Sequence, residues 1–143
     1  MTEVAFHFNA PDKIGYACRL LRKAVVSGAH VVVVGDDALL RELDVALWTF
    51  APQAFLPHCL MQGSDATLIA ASPILLGSPA ASPQNDVLVN LGTDLPDAFE
   101  RYVRLIEVVT GESDDRAAAR RRWRHYADHG YALMRHDLAG AGA

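Results

Sequence analysis

The run His30-Val31-Val32-Val33-Val34-Gly35 constrains the fold more than any other stretch of the chain. It is short, continuously apolar and without alternation. Such a run suits a strand buried on both faces, as in the middle of a parallel sheet. Its flanks agree with that reading. Upstream, Ile14, Ala17, Leu20, Leu21, Ala24 and Val25 recur at spacings of three and four. This predicts an amphipathic helix over residues 13–27, stopped by Gly28. Residues 4–8 (VAFHF) read as a first strand. Asn9-Ala10-Pro11-Asp12 reads as a turn, with Asp12 as the helix N-cap. Downstream, Asp36-Asp37 opens a second helix over residues 38–48, with Leu39, Leu40, Leu43, Ala46 and Leu47 on its apolar side. Strand, helix, strand and helix in this order define the α/β class, with a mostly parallel sheet flanked by helices.

The rest of the chain has weaker punctuation. Residues 50–64 form a longer connection containing Pro52, Phe55, Pro57 and His58. Residues 67–70, 74–76 and 86–90 are three short strand candidates. The Gly-, Ser- and Pro-rich residues 77–85 form a loop that looks too short for a crossover helix, so one antiparallel neighbour is expected. A helix is expected over residues 97–109, ended by Gly111. A last helix is expected from Asp115 to about Gly130, with Ser113 as cap and Asp114-Asp115 favouring its N-terminus. The expectation is a single domain over residues 1–136 and a flexible C-terminal tail over 137–143.

Composition removes several function classes. The 143 residues are 51% hydrophobic and 21% charged, a globular balance, and carry a formal charge of −4. A generic nucleic-acid binder needs an excess of Lys and Arg, which the whole chain lacks. The basic residues are unevenly placed, however: of 13, six are arginines between Arg116 and Arg135. Cys18 and Cys59 lie in apolar surroundings and read as reduced, buried thiols. The opening MTEVAFHFNA has no apolar run, and no stretch reaches the length of a membrane span, so the expected location is cytoplasmic, with no membrane partner.

Motifs for catalysis are missing from the positions where an α/β fold would carry them. The first strand–helix turn, Asn9 to Lys13, has no glycine, and the second is Gly35-Asp36-Asp37. Phosphate-binding loops need glycines for close backbone approach and avoid adjacent carboxylates, so no nucleotide-binding glycine loop is present and no cofactor is expected. There is no Gly-x-Ser-x-Gly elbow. His58 and Cys59 are neighbours in sequence, which on a strand places them on opposite faces. His125 and His129 share a helix face but lack the acidic or cysteine partners of a metal site. The expectation is therefore no catalytic residue and no metal.

The chemically distinctive segment is residues 113–131, SDDRAAARRRWRHYADHGY. On a helix, Arg116, Arg120, Arg124 or Trp123, and Ala127 fall on neighbouring rows, so arginines and an indole share a face. An ordinary solvated charged face, with Trp123 and Tyr126 packed inward, is the bland account. Three features favour a binding surface. The cations are all arginine, which grips carboxylate and phosphate bidentately. Trp123 stands among them where a core stripe would place Leu, and too few acids lie nearby to neutralise them. Two ligand classes fit: single-stranded nucleic acid stacked on the indole, or an acidic peptide with a free terminal carboxylate beside an apolar side chain. The acidic body disfavours the first.

At this point the chain resembles a known family, the chi subunit of the bacterial DNA polymerase III holoenzyme. The resemblance spans nearly the whole chain. It rests on VAFHF, on Leu43-Asp44-x-Ala46-Leu47-Trp48, on Phe55-x-Pro57-His58 and on Asp86-Val-Leu-Val-Asn-Leu91. Ala119-Arg120-x-Arg122-Trp123-Arg124-x-Tyr126, followed by Gly130-Tyr131, completes it. It implies a Rossmann-like fold without nucleotide chemistry and a non-catalytic place in the clamp-loader assembly. Two partners are implied: the psi subunit, and the acidic, phenylalanine-terminated tail of single-stranded DNA-binding protein, through which DNA is reached indirectly. Carried over residue by residue, the resemblance makes Trp48 and Phe55 apolar wall positions and Arg120 the holder of the terminal carboxylate. Trp123 stands where the family usually has tyrosine, and Arg124 takes a basic position. Val109 and Arg116 match with one residue gapped between the last two expected helices. The psi surface has no motif here. Trp48 and Phe55 are thus expected to form a wall opposite the arginine helix. Direct single-strand binding by that helix, and a nucleotide-dependent enzyme with an atypical loop, remain the alternatives.

Overall fold

The computed structural model describes residues 1–49 and 56–141. Among them, seven strands form one sheet in the order β3-β4-β2-β5-β6-β1-β7, and every neighbouring pair is parallel. The strands are β1 (Glu3–Ala10), β2 (Val31–Val34), β3 (His58–Leu60), β4 (Ile74–Leu76), β5 (Val87–Asn90), β6 (Arg104–Thr110) and β7 (Leu133–Asp137). The helices are α1 (Lys13–Val26), α2 (Asp37–Thr49), α3 (Ala66–Ala71), α4 (Ser113–Asp128) and the short α5 (Leu138–Ala141). No helix among the described residues is long and apolar enough to cross a membrane.

The run of four valines sits where its composition requires. Val31 and Val33 join one core layer with Leu21 of α1 and Leu40, Leu43 and Leu47 of α2. Val32 joins the opposite layer, with Phe6, Leu88, Leu105 and the α4 residues Ala119 and Tyr126. Successive side chains of a strand point to opposite faces, so an unbroken apolar run fills both layers at once. Helices α1 and α2 therefore cover one face of the sheet and α4 covers the other. The first boundaries also follow local chemistry. The Asp12 carboxylate accepts from the backbone N–H groups of Ile14 and Gly15, capping α1. Gly28 turns the chain out of the helix at φ 84°, where a side chain would be strained.

Four expectations are corrected. Residues 67–70 are helical in α3, because the Asp65 carboxylate caps the Leu68 N–H and none of the helix residues is buried as a central strand would be. No antiparallel neighbour exists among the described strands. The connection from β4 to β5, with a 3-10 turn at Pro79–Ala81, steps over β2 alone and returns parallel on its other side. The helix expected over residues 97–109 is instead a 3-10 turn (Phe99–Arg101) followed by β6. Phe99, Tyr102, Leu105, Ile106 and Val109 imitate a helical repeat in sequence. Yet Leu105 to Val109 are all buried between β5 and β1, which suits a β-branched run. Ser113 is the first residue of α4, whose cap position is Glu112 with no side-chain cap. Beyond α4, the sequence reading has no strand at all, whereas β7 pairs along β1 from Val4↔Leu133 to Phe8↔Asp137. Phe55 and residues 142–143 lie outside the described residues.

His7 of β1 marks where α1, β1 and β7 meet. Its ring is hydrogen-bonded to the Tyr16 hydroxyl of α1 and lies 4.7 Å from the His136 ring of β7. Burial, then the nearby charges of His136, Arg104 and Lys23, push its imidazole down to about 4. An unfolded histidine takes up its proton near pH 6.5, so protons favour the unfolded chain between those two values. Stability is expected to be undiminished by His7 above about pH 6.5 and to fall as the pH drops toward about 4. Urea midpoints measured across that window check this: His7→Gln should flatten the fall relative to the wild type.

Candidate peptide-binding site

The placement of α4 on the sheet begins with a buried carboxylate. Glu107, in the middle of β6, is fully buried. Its Oε1 accepts from Arg122 Nε at 3.0 Å and from Asn90 Nδ2 at 2.9 Å, and its Oε2 accepts from the Tyr126 hydroxyl at 2.6 Å. Arg122 also donates through Nη1 to the Thr93 carbonyl. Burial pushes the Glu107 carboxyl up, against the opposing pull of Arg122, Tyr126 and Asn90. Burial and the adjacent carboxylate also raise the Tyr126 hydroxyl. At the other end of the helix, Asp115 accepts from Thr110 N and Oγ1 at 2.8 and 3.0 Å and from Lys13 Nζ at 3.0 Å. These anchors fix the rotation of α4. With Arg122, Tyr126 and Asp115 turned inward, the row Arg116, Arg120 and Arg124 must face out, since residues four apart share a row.

That row rims a cavity of about 510 Å³. Val109 of β6, Phe6 and Phe8 of β1, and Ala119, Trp123 and Ala127 of α4 supply its apolar lining. Arg116, Arg120, Arg124 and Arg135 supply its cations. Trp123 is half-buried and meets Phe6 edge-on, with ring centroids 5.1 Å apart. The Arg135 guanidinium lies 5.0 Å from the Phe8 ring centroid and 6.0 Å from that of Trp123. Among the described residues, none of these four arginines has a carboxylate within 4.0 Å; the ion pairs of the chain fall elsewhere. A concave apolar floor under unpaired guanidinium groups suits an anionic ligand that also carries an apolar group.

The structure thus brings together Val109, Arg116, Arg120, Trp123 and Arg124. It does not bring Trp48 to them. Trp48 lies in the last turn of α2, stands 56% exposed, and packs its ring 4.7 Å from that of His58 in β3. Strand β3 is the opposite edge of the sheet from β7, and α2 covers the opposite face from α4. Trp48 therefore cannot supply the facing wall; Phe6, Phe8 and Arg135 form it. His58 donates through Nδ1 to the Leu56 carbonyl, 2.6 Å away, and its Nε2 lies 3.1 Å from Asp44. Arg122, read in sequence as one more arginine of the charged run, is 2% exposed and structural. Its signal was the spacing to Tyr126, which places both on the row that meets a strand acid.

The carboxyl ends of the strands, where open α/β sheets usually bind ligands, form a second cleft of about 660 Å³. Its lining includes Asp12, Asp36, Asp94, Asp97, Glu112, Asp114 and Asp115, against the single cation Lys13, which is already paired with Asp115. The Asp12 and Asp36 carboxylates take the first N–H groups of α1 and α2, the groups a phosphate would need. No group of three or more His, Cys, Asp or Glu among the described residues has metal-holding geometry. His125 and His129 stack on each other at 4.1 Å.

The chain is similar to known proteins over most of its length. The family model described as DNA polymerase III chi subunit, HolC, matches residues 1–134. The chain is 34% identical over 143 residues to DNA polymerase III subunit chi of Pseudomonas aeruginosa, covering 96% of this chain and 98% of that one. It is 25% identical over 119 residues to the Escherichia coli protein of the same name, covering 81% and 79%. The Haemophilus influenzae protein of that name is 28% identical over 125 residues, covering 85% of each chain.

Neighbouring arginines of α4 should behave oppositely in stability. Arg122→Ala leaves the Glu107 carboxylate buried without its cation and is expected to cost about 3–5 kcal/mol. Arg121→Ala, at an exposed position, should stay within about 0.5 kcal/mol of the wild type. Urea unfolding of the two variants, followed by circular dichroism, checks the contrast.

Proposed function

This chain belongs to the DNA polymerase III chi subunit family, and from that premise we propose that it is a cytoplasmic, non-catalytic bridge in the clamp-loader assembly, joining the psi subunit to the acidic C-terminal tail of single-stranded DNA-binding protein. The family gives it an accessory role in DNA replication. The observation that carries the tail-binding part is the cavity under α4, where Arg116, Arg120 and Arg124 stand over Val109 and Trp123 with no carboxylate partner within 4.0 Å among the described residues. A peptide that ends in phenylalanine offers the matching groups. Its ring enters the apolar floor, its terminal carboxylate meets Arg120 bidentately, and its acidic residues meet the remaining cations. Trp123 presents an indole edge and face where the family usually presents a phenol, so the stacking surface is kept.

Trp48 lies by β3, at the edge of the sheet far from this cavity. The tail then contacts the α4 cavity alone, and DNA is reached only through the protein that owns the tail. Direct strand binding has less support, because the arginine row encloses one compact cavity and the seven carboxylates of the second cleft repel phosphate. The same carboxylates leave the nucleotide-enzyme reading without a phosphate cradle.

The expected affinity is on the order of micromolar and falls steeply with salt, since the cations are exposed. Titration of the full chain with a labelled peptide copying the tail is the direct test. Arg120→Ala should weaken binding about tenfold or more, as expected for loss of a charge-assisted pair. Trp48→Ala should leave it unchanged. Undiminished binding by Arg120→Ala would remove that residue from the site, and tight binding of a bare oligonucleotide at low salt would favour the strand-binding reading instead.

A further inference from the structure

Arg135 does not belong to the arginine helix. It lies on β7, and strand pairing places it beside Phe6 of β1 in the register Phe6↔Arg135. The same register continues to Phe8↔Asp137. From there its guanidinium reaches over two aromatic rings of the cavity, those of Phe8 at 5.0 Å and Trp123 at 6.0 Å. Cations at these distances are attracted to the ring faces, which restrains a side chain that would otherwise sample many rotamers in solvent. Its N–H groups keep their capacity for an anion, because among the described residues no carboxylate of this chain lies within 4.0 Å of it. The cavity therefore has two cationic walls, one on α4 and one on β7, with the apolar floor between them.

Resting on the tail-binding reading above, we infer that Arg135 is a specificity residue of that site, held over Phe8 and Trp123 to take an acidic side chain upstream of the peptide's terminal residue. A single terminal carboxylate occupies one guanidinium bidentately and cannot satisfy two opposed walls. A second anion is needed for the second wall, and in a peptide it comes from an Asp or Glu side chain. Lysine would keep the charge but lose the planar fit to two rings and the fork that matches a carboxylate.

The test uses the full chain and two synthetic peptides, both ending in phenylalanine with a free carboxylate. One has an acidic stretch before it; the other has those acids replaced by their amides. Binding is followed by fluorescence anisotropy, with circular dichroism confirming that each variant is folded. Arg135→Ala should weaken the acidic peptide about three- to tenfold and leave the amide peptide unchanged. Arg135→Lys should fall between Ala and wild type, and Arg120→Ala should weaken both peptides. The inference is overturned if Arg135→Ala weakens both peptides equally or neither. A wild-type chain that binds neither peptide overturns the tail-binding reading itself, so the two failures are distinguishable.

Discussion

The Glu107 carboxylate is the point on which the α4 side of the molecule turns. A fully buried acid costs several kcal/mol of desolvation unless its oxygens are filled, and here Arg122, Tyr126 and Asn90 fill them. The three partners come from α4 and β5, while the acid comes from β6. One group thus ties the helix to the central strands and, through Arg122 and the Thr93 carbonyl, to the loop after β5. Apolar packing alone leaves a helix able to roll by a residue; hydrogen bonds to a fixed carboxylate do not. The rotation they impose decides which arginines reach water. Binding chemistry on the outside of α4 is in this sense set by an ion pair on its inside.

The α1–α2 half of the fold was legible because its patterns are unambiguous. Four consecutive valines have one good solution in an α/β chain, and the Asp12 cap and Gly28 stop bracket an amphipathic repeat that has no competing period. The second half resisted for a physical reason. Phe99, Tyr102, Leu105 and Val109 recur at helical spacing, but the segment carries β-branched residues that fit a central strand, and pairing with both β5 and β1 outweighs the periodicity. The short run at residues 67–70 failed in the opposite direction, since four residues cannot distinguish the two periods and a capping aspartate decided the matter locally.

Legibility of the site followed the same division. Arg116, Arg120, Trp123 and Arg124 lie on one helix, where the 3.6-residue period reveals a shared face, and Val109 sits at the end of the strand that leads into it. Phe8 and Arg135 could not be grouped with them from sequence, because strands β1 and β7 meet only through long-range pairing. Residues on separate strands become neighbours by register, which no local pattern encodes. Trp48 illustrates the converse. An aromatic at the end of an apolar helix carries no mark of which sheet face or edge that helix will cover, and α2 covers the face away from α4. Arg122 shows a further limit: arginine in a charged run looks the same whether it faces solvent or a buried acid.

Charge placement sharpens what the cavity selects. The chain is net acidic, yet four arginines converge on one concavity while the cleft at the strands' carboxyl ends collects carboxylates. A long polyanion approaching the α4 cavity meets attraction over a small patch and repulsion from the rest of the surface. A short acidic segment with a free end can enter the patch without spanning the acidic surroundings. The apolar floor adds a second requirement, because filling it returns hydrophobic stabilisation only to a ligand with a ring or branched chain beside its charge. On the proposed function, length, charge and a terminal apolar group are read together by this cavity. Exposed arginine contacts of this kind form quickly and release readily when salt rises.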